Sequence, residues 1–498
     1  MIFLKKSLWQ KDLVNNNFRE LNKSVDTDIL IIGAGMTGIT LAYNLINSNY
    51  KVTVLEANKV LSGVTSKSTG KITYLQELIY QDIVKAHNFN AAKLYYEAQK
   101  DAIKIIKKNV KENNIDCNLT KSSSITFTNN KREIPKFKKE EKILEKLGVK
   151  YYNKKDVLKD KSIKKYIMVN NTYVFHPVKY LNGLIKKIKN NSNIKIYEKS
   201  RVTKIKKEND YYIALSNGYK IKANVIVIAC NYPSFTIPGF VPLKTYLEKS
   251  YVTASKVDKI KNINGITNTY PTKSFRYHED TDKYFIYLTN SSKICDSLNY
   301  KKNYENCKRK SKEITGVTPN YIWTNMDLMT NDHLPLIGSI SNDNKNVYLA
   351  TGYNTWGMTN GTIAAKIIYD LIRGKKNKYK DVFSPTREIT LSQFKNIVTN
   401  TVFSNIKAYG LNLIKKNPLW YKDKAIITKI DGKRAGIYFD SNGNRHVVSN
   451  ICPHLKCFLT FNEIDKTWDC PCHGSRFDID GKVVKGPSCY SIKIDNNE

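Results

Sequence analysis

The chain has 498 residues, 41% hydrophobic and 25% charged, which gives room for two or three domains with sizeable cores and excludes a disordered or fibrous class. No apolar run is long enough to span a bilayer, and the start MIFLKKSLWQKDLVNNNF lacks the apolar centre and cleavage site of a signal peptide, so a cytoplasmic protein is expected. The net charge of +38 would suit nucleic acid or an anionic membrane, but the lysines are scattered, with no arginine-rich or aromatic-interleaved stripe, and specific nucleic-acid binding is not expected.

The first strong pattern is DILIIGAGMTGITLAYNLINSNYKVTVLEA, Asp28–Ala57. The apolar run Ile29–Ile32 reads as a buried strand that enters Gly33-Ala34-Gly35-Met36-Thr37-Gly38. A helix with apolar residues at Ile39, Leu41, Leu45 and Ile46 follows, then a second strand, Lys51–Leu55, ending at Glu56. This is a complete βαβ dinucleotide unit. Gly33 permits the tight turn, Gly35 admits backbone to a pyrophosphate and Gly38 lets helix and strand approach. The helix N-terminus favours the phosphates, and Glu56 can accept ribose hydroxyls. The pattern leaves FAD and NAD equally open.

The polar loop ANKVLSGVTSKSTGKIT, Ala57–Thr73, resembles the second FAD contact of the D-amino-acid oxidase/glycine oxidase class of flavoproteins. The resemblance implies FAD and places Ser66, Ser68, Thr69, Gly70 and Lys71 in a loop that wraps the diphosphate and flavin. Residues 90–165 read as mainly helical, interrupted by a strand at Ser122–Asn130; His176–Pro177 marks a return to the core, with His176 read as structural. Ile194–Cys230 reads as successive strands around an Asn217–Gly218 turn, and RVTKI resembles the family strand whose backbone meets adenine, here at Val202. Thr245–Thr289 reads as further strands, on which Arg276 is a weak candidate for holding a substrate carboxylate. Thr289–Ser292 departs from the glycine-rich turn usual in the family. DLMTNDHLPLIG, Asp327–Gly338, resembles a further family segment, with His333 a second weak catalytic candidate where glycine is usual. NVYLATGYNTWGMTNG, Asn346–Gly361, resembles the third FAD contact, implying roles for Gly352, Trp356, Gly357, Met358 and Thr359 at a helix N-terminus beside the flavin's pyrimidine edge. FSPTR, Phe383–Arg387, closes the segment in the family manner.

Ser392–Lys416 has an amphipathic basic pattern, expected to be a linker helix packed on the flavin domain, with contact to an anionic membrane surface as the other reading. Beyond Pro418, the short strands KAIITKI, AGIYFD and RHVVSN lead to CPHLKCFLTFNEIDKTWDCPCHGS. Cys452 with His454, and Cys470 with His473, form two mixed half-sites. Two thiolates and two imidazoles serve zinc or an iron–sulfur cluster. The segment, continuing through Arg476, Phe477 and Gly486–Pro487, resembles the Rieske family, which implies a [2Fe–2S] cluster with those four ligands and a Cys457–Cys472 disulfide. Five of the nine cysteines lie between Cys452 and Cys489; the other four, Cys117, Cys230, Cys295 and Cys307, read as ordinary thiols.

The expected fold is therefore an α/β, Rossmann-like FAD-binding domain of the glutathione-reductase type, interleaved with an α+β substrate domain and followed by an all-β Rieske domain. The expected boundaries are 1–387 for the flavoprotein, with FAD-binding parts at 26–90, 166–244 and 327–387 and substrate parts at 91–165 and 245–326. A linker at 388–418 and the Rieske domain at 419–498 complete the chain. The resemblance implies oxidation of a small amine or amino acid, with electrons leaving through the cluster to a one-electron acceptor. An oxygen-using FAD oxidase with a structural Rieske module, and a non-enzymatic redox sensor or electron-transfer protein, are the alternatives.

Overall fold

The computed structural model describes residues 6–153, 162–233, 241–294, 299–341, 346–388, 394, 398 and 423–494. The expected linker helix at Ser392–Lys416 lies outside these residues, apart from Phe394 and Val398. No helix among the described residues is long and apolar enough to cross a membrane.

Two large sheets carry the first three-quarters of the chain. The first has Val25–Ile32 near its centre, paired in parallel with Val52–Leu55 on one side and Tyr219–Ile228 on the other. Ile194–Tyr197 and Val347–Thr351 extend it in parallel, and Leu336–Ser339 closes one edge antiparallel. The residues Ile29–Leu55 needs for this are apolar on both faces because helices cover the sheet: Ile29, Leu30, Ile31, Val54 and Leu55 are all buried. The hairpin Val202–Glu208/Tyr211–Ser216, joined at Asn217 and Gly218 to Tyr219–Ile228, flanks the same sheet. The helix Met36–Asn44 packs against Gly357–Ile372 and Pro177–Lys189.

The second sheet runs Tyr321–Thr330, Thr245–Lys256, Lys283–Lys293, Thr272–Glu279, Ile263–Thr267, Thr120–Thr128, Lys165–Val174 and Lys71–Ile72. Most pairs are antiparallel; Ile263–Thr267 and Thr120–Thr128 run parallel. Its membership differs from the expected partition. Lys71–Ile72 and all but the first residue of Lys165–Val174 fall in segments assigned to the FAD-binding part, and the expected boundary at 327 falls inside Tyr321–Thr330. The chain leaves the nucleotide half at Gly70 (φ +68°) and re-enters at Phe175, whose N–H donates to the Gly70 carbonyl. This crossing is set by strand pairing distant in sequence, which local composition does not encode.

The C-terminal region is all-β. Lys424–Ile430, Lys433–Phe439 and Arg445–Ser449 form an antiparallel meander, and Thr460–Asn462, Thr467–Asp469, Arg476–Phe477 and Val483–Lys485 form a second small sheet. Trp468, Phe477, Val448 and Leu459 fill its core.

Candidate active site and cluster site

The glycine motif builds a cradle at the end of the central strand. Gly33 has φ +109°, and a β-carbon there would stand 2.8 Å from the Ala229 carbonyl oxygen. Gly35 caps the helix, and Met36 N–H donates to Thr65 Oγ1 at 3.1 Å. Thr37 Oγ1 shares a 2.7 Å hydrogen bond with the Tyr353 hydroxyl. Glu56 accepts from Ala34 N–H at 3.0 Å and Asn58 N–H at 2.9 Å; burial raises its pKa. Gly33, Gly35, Met36, Thr37, Glu56 and Val202 share the lining of a cavity of about 510 Å³, which Gly357 and Met358 reach from the opposite helix. A cradle open at three glycines, at a helix N-terminus and beside an acidic strand end, fits a dinucleotide.

A second cavity, of about 580 Å³, adjoins the first through Lys67, Asn325 and Met358. Ser68, Thr69, Lys71, His333 and Trp356 lie on its wall. Lys71 Nζ donates to Gly265 O and Ser274 Oγ, lies 5.3 Å from the Trp356 ring centroid, and is pulled down to about 7 by burial. His333 sits in a turn with φ +68°. Five carboxylates line the same space, Glu77, Asp82, Glu133, Glu248 and Asp327, and Glu133 is paired with Lys136. Burial pushes Glu77 up to about 8 and Asp327 to about 7, and raises Glu248.

The remaining expected residues surround these cavities without lining them. Gly38 is the point where helix and strand touch: a β-carbon there would lie 1.9 Å from Gly33 O. Ser66 is buried and its Oγ donates to Gly63 O at 3.2 Å. Gly352, with φ +70°, packs on Thr330, and Thr359 Oγ1 accepts from Gln76 at 3.2 Å. Arg276 requires a correction. Its guanidinium is 1% exposed and donates to the carbonyls of Thr69 (2.9 Å), Gly70 (2.7 Å) and Phe175 (2.9 Å), so it braces the Ser66–Lys71 loop and has no face toward a substrate carboxylate. The sequence reading also missed Trp9. The turn Leu8–Asp12 buries this indole completely, and its Nε1 donates to Ser68 O at 2.6 Å, clamping the same loop from the other side. The adjacent apolar pair Leu8–Trp9 was the available signal, but nothing local says which loop it grips.

In the C-terminal region the two Cys/His loops meet. Cys452 and Cys470 are buried and hydrogen-bonded to each other, and the His454 and His473 rings lie 5.1 Å apart. His473 Nδ1 is buried with no hydrogen-bond partner, an arrangement that costs free energy unless a ligand takes the lone pair. Cys457 and Cys472 form a disulfide. The sulfurs of Cys457, Cys470 and Cys472 lie within 4.8 Å of one another, and the disulfide withdraws two of them, leaving Cys470 as the thiol free to ligate. Ser475 Oγ accepts from Ser488 N–H at 2.9 Å and reaches Cys452. These residues fit a metal centre of two thiolates and two imidazoles.

The two sites are in contact. The Tyr232 ring lines the dinucleotide cavity and packs on both histidines, 5.6 Å from His473 and 6.2 Å from His454. Gly474 (φ +73°) seats the second cluster loop on the large antiparallel sheet, where a β-carbon would meet Leu247 at 2.8 Å. Beside it, Lys249 Nζ and Asp469 Oδ2 form a fully buried ion pair at 3.5 Å, and Arg476 Nε donates to Asp469 Oδ1 at 2.8 Å. Arg476, Lys485 and Gly486 complete one wall of the dinucleotide cavity.

Comparison with known proteins matches residues 28–371 to the FAD dependent oxidoreductase family and residues 412–494 to the Rieske [2Fe-2S] domain. A Bacillus subtilis relative bearing the name Rieske 2Fe-2S iron-sulfur protein YhfW is 31% identical over 98% of this chain and 97% of its own. Gamma-glutamylputrescine oxidoreductase of Escherichia coli is 21% identical over 74% of this chain and 88% of its own. In fold, glycine oxidase from Geobacillus kaustophilus superposes with a TM-score of 0.61 at 13% identity, covering 74% of this chain and all of that one. L-proline dehydrogenase from P. horikoshii gives 0.59 at 16% identity, covering 74% and 98%.

Proposed function

The chain belongs to the FAD dependent oxidoreductase family and carries a C-terminal Rieske [2Fe-2S] region, and from that premise we propose that it oxidises a carbon–nitrogen bond of a small amine or amino acid and exports the electrons singly to a separate acceptor. When bound, FAD takes up an electron pair and a [2Fe–2S] centre passes one electron at a time. Gly33–Thr37, Glu56 and Val202 would hold the dinucleotide, and Cys452, His454, Cys470 and His473 the cluster. The relatives are named for gamma-glutamylputrescine, glycine and L-proline, which are amines or amino acids.

The observation that carries this reading is the shared wall. Tyr232 belongs to the dinucleotide cavity and touches both cluster histidines, while Arg476 and Lys485 of the cluster region line that same cavity. A module kept only for structure has no need to present its metal ligands to the neighbouring redox site. The 580 Å³ chamber is sized for a small molecule. Trp9, Arg276 and the Ser66–Lys71 loop hold one side of it rigid, so a substrate meets a fixed surface.

The test is anaerobic addition of amines and amino acids to protein loaded with both cofactors, followed by absorption and EPR spectra. Flavin bleaching followed by a reduced [2Fe–2S] signal is the expected result. A bleached flavin beside a cluster that stays oxidised would instead identify an oxygen-using oxidase with a structural cluster module.

A further inference from the structure

Resting on the carbon–nitrogen oxidation reading, we propose that the chamber selects a cationic amine lacking a carboxylate, held by Glu77, Glu248 and Asp327. These carboxylates line the space with few protein donors: Ser291 gives one hydrogen bond to Glu248 (3.2 Å), and Asn325 Nδ2 gives one to Asp327 (3.0 Å). Two further acceptors on the same wall have no partner. Asn325 Oδ1 and Ser250 Oγ belong to residues only 6% and 3% exposed, and neither atom is hydrogen-bonded. A wall of unfilled acceptors calls for a ligand that brings several N–H donors and positive charge, which describes an alkylammonium.

Most of the cations that could receive a carboxylate are committed elsewhere. Arg276 is turned into the Thr69–Gly70 backbone, Lys71 is bonded to Gly265 and Ser274, and Lys136 pairs with Glu133 at 2.8 Å. Lys67 lies where the chamber meets the dinucleotide cavity. A zwitterionic amino acid would therefore bring its carboxylate against like charge. The acidic lining also runs against a chain of net charge +38, so it does not follow from overall composition. Burial disfavours the ionised form of all three carboxylates, and an entering ammonium offsets that cost.

Matched pairs differing only by the carboxylate test this: n-pentylamine against norleucine, and 1,4-diaminobutane against ornithine. Each is added anaerobically to the holoprotein, with the shift of the flavin spectrum reading binding and bleaching reading oxidation. The amines are expected to bind at least about tenfold tighter than their carboxylated partners, and Glu248→Gln or Glu77→Gln to weaken pentylamine binding about tenfold at unchanged flavin content. Equal binding of norleucine and pentylamine, or a pentylamine affinity indifferent to both variants, would overturn the proposal. Amines that bind selectively without bleaching would sustain it and sink carbon–nitrogen oxidation. Bleaching by norleucine alone would sink it and leave carbon–nitrogen oxidation standing.

Discussion

A β-carbon at Gly38 would stand 1.9 Å from the Gly33 carbonyl, inside any permissible contact. The Gly38→Ala variant must therefore push the helix Met36–Asn44 off the strand that precedes it, at a cost of roughly 1–3 kcal/mol. Purified protein should carry sub-stoichiometric FAD, measured by absorbance after release. A full complement would mean the helix can shift freely. Phe477 supports a second expectation. It is fully buried in the cluster region, and the Rieske resemblance puts a tyrosine at this position in the high-potential group. A hydroxyl donor to a cluster sulfur favours the reduced, more negative state, and phenylalanine lacks it. The midpoint should fall below the top of the Rieske range, about −150 to +300 mV, and Phe477→Tyr should raise it in a redox titration. An unchanged or lower value would remove this explanation. Both residues could be singled out from the sequence because their motifs are contiguous. Arg276 could not be placed, since its partners Thr69, Gly70 and Phe175 are about 100 to 200 residues away and only the folded strands bring them together.

Among the elements, the segment ending at Arg387 is a strap. Arg387 forks onto Asp332 through Nε (2.5 Å) and Nη2 (2.7 Å) and also donates to the carbonyls of Leu334 and Pro335, tying the end of the flavoprotein to the turn after Tyr321–Thr330. Burial would raise the Asp332 pKa, but Arg387 and His87 more than reverse this and hold it well below the usual carboxylate range. A carboxylate whose folded pKa is depressed contributes stability above its unfolded pKa, and loses it as pH falls through the folded value. Asp332→Asn should thus cost about 3–5 kcal/mol at neutral pH in urea unfolding, because Arg387 is left without its counter-charge. The difference from the native protein should shrink below about pH 4, where the unfolded carboxylate protonates. A difference constant down to pH 2 would contradict the ion-pair account. The FSPTR segment was legible as a family closure, yet the partner of its arginine was not. The same limit applies to the second sheet, whose strands Lys71–Ile72 and Lys165–Val174 pair antiparallel across a separation that hides their register.

For the molecule as a whole, the central question is what holds the cluster loops against the nucleotide cavity. Nothing in the sequence distinguished Lys249 among so many lysines, because an interface residue is defined only by the surface it meets. In the structure its ammonium is fully buried, 3.5 Å from Asp469 and 4.0 Å from the Tyr300 ring centroid. Burial pulls it down to about 8, with Asp469 acting in the opposite direction. Asp469 also accepts from Arg476 and Asn462, so one carboxylate answers two buried cations from the two sides of the contact. Asp469→Asn leaves Lys249 without its counter-charge beside Arg476, which keeps Asp465 at 2.6 Å, at a cost of roughly 3–5 kcal/mol. That cost falls on the docked arrangement, since Lys249 regains water when the cluster region lifts away. Electron tunnelling weakens steeply with distance, so lifting slows passage between the sites without touching the chamber. In anaerobic stopped-flow mixing with an amine, Asp469→Asn should slow the appearance of reduced cluster relative to flavin bleaching by about tenfold or more, equivalent to 1.4 kcal/mol. Added salt should not reproduce the effect, because a buried pair is only weakly screened. If cluster reduction keeps pace with bleaching in the variant, the dock is held by the apolar seat at Gly474, Leu247 and Met326, and the ion pair is dispensable.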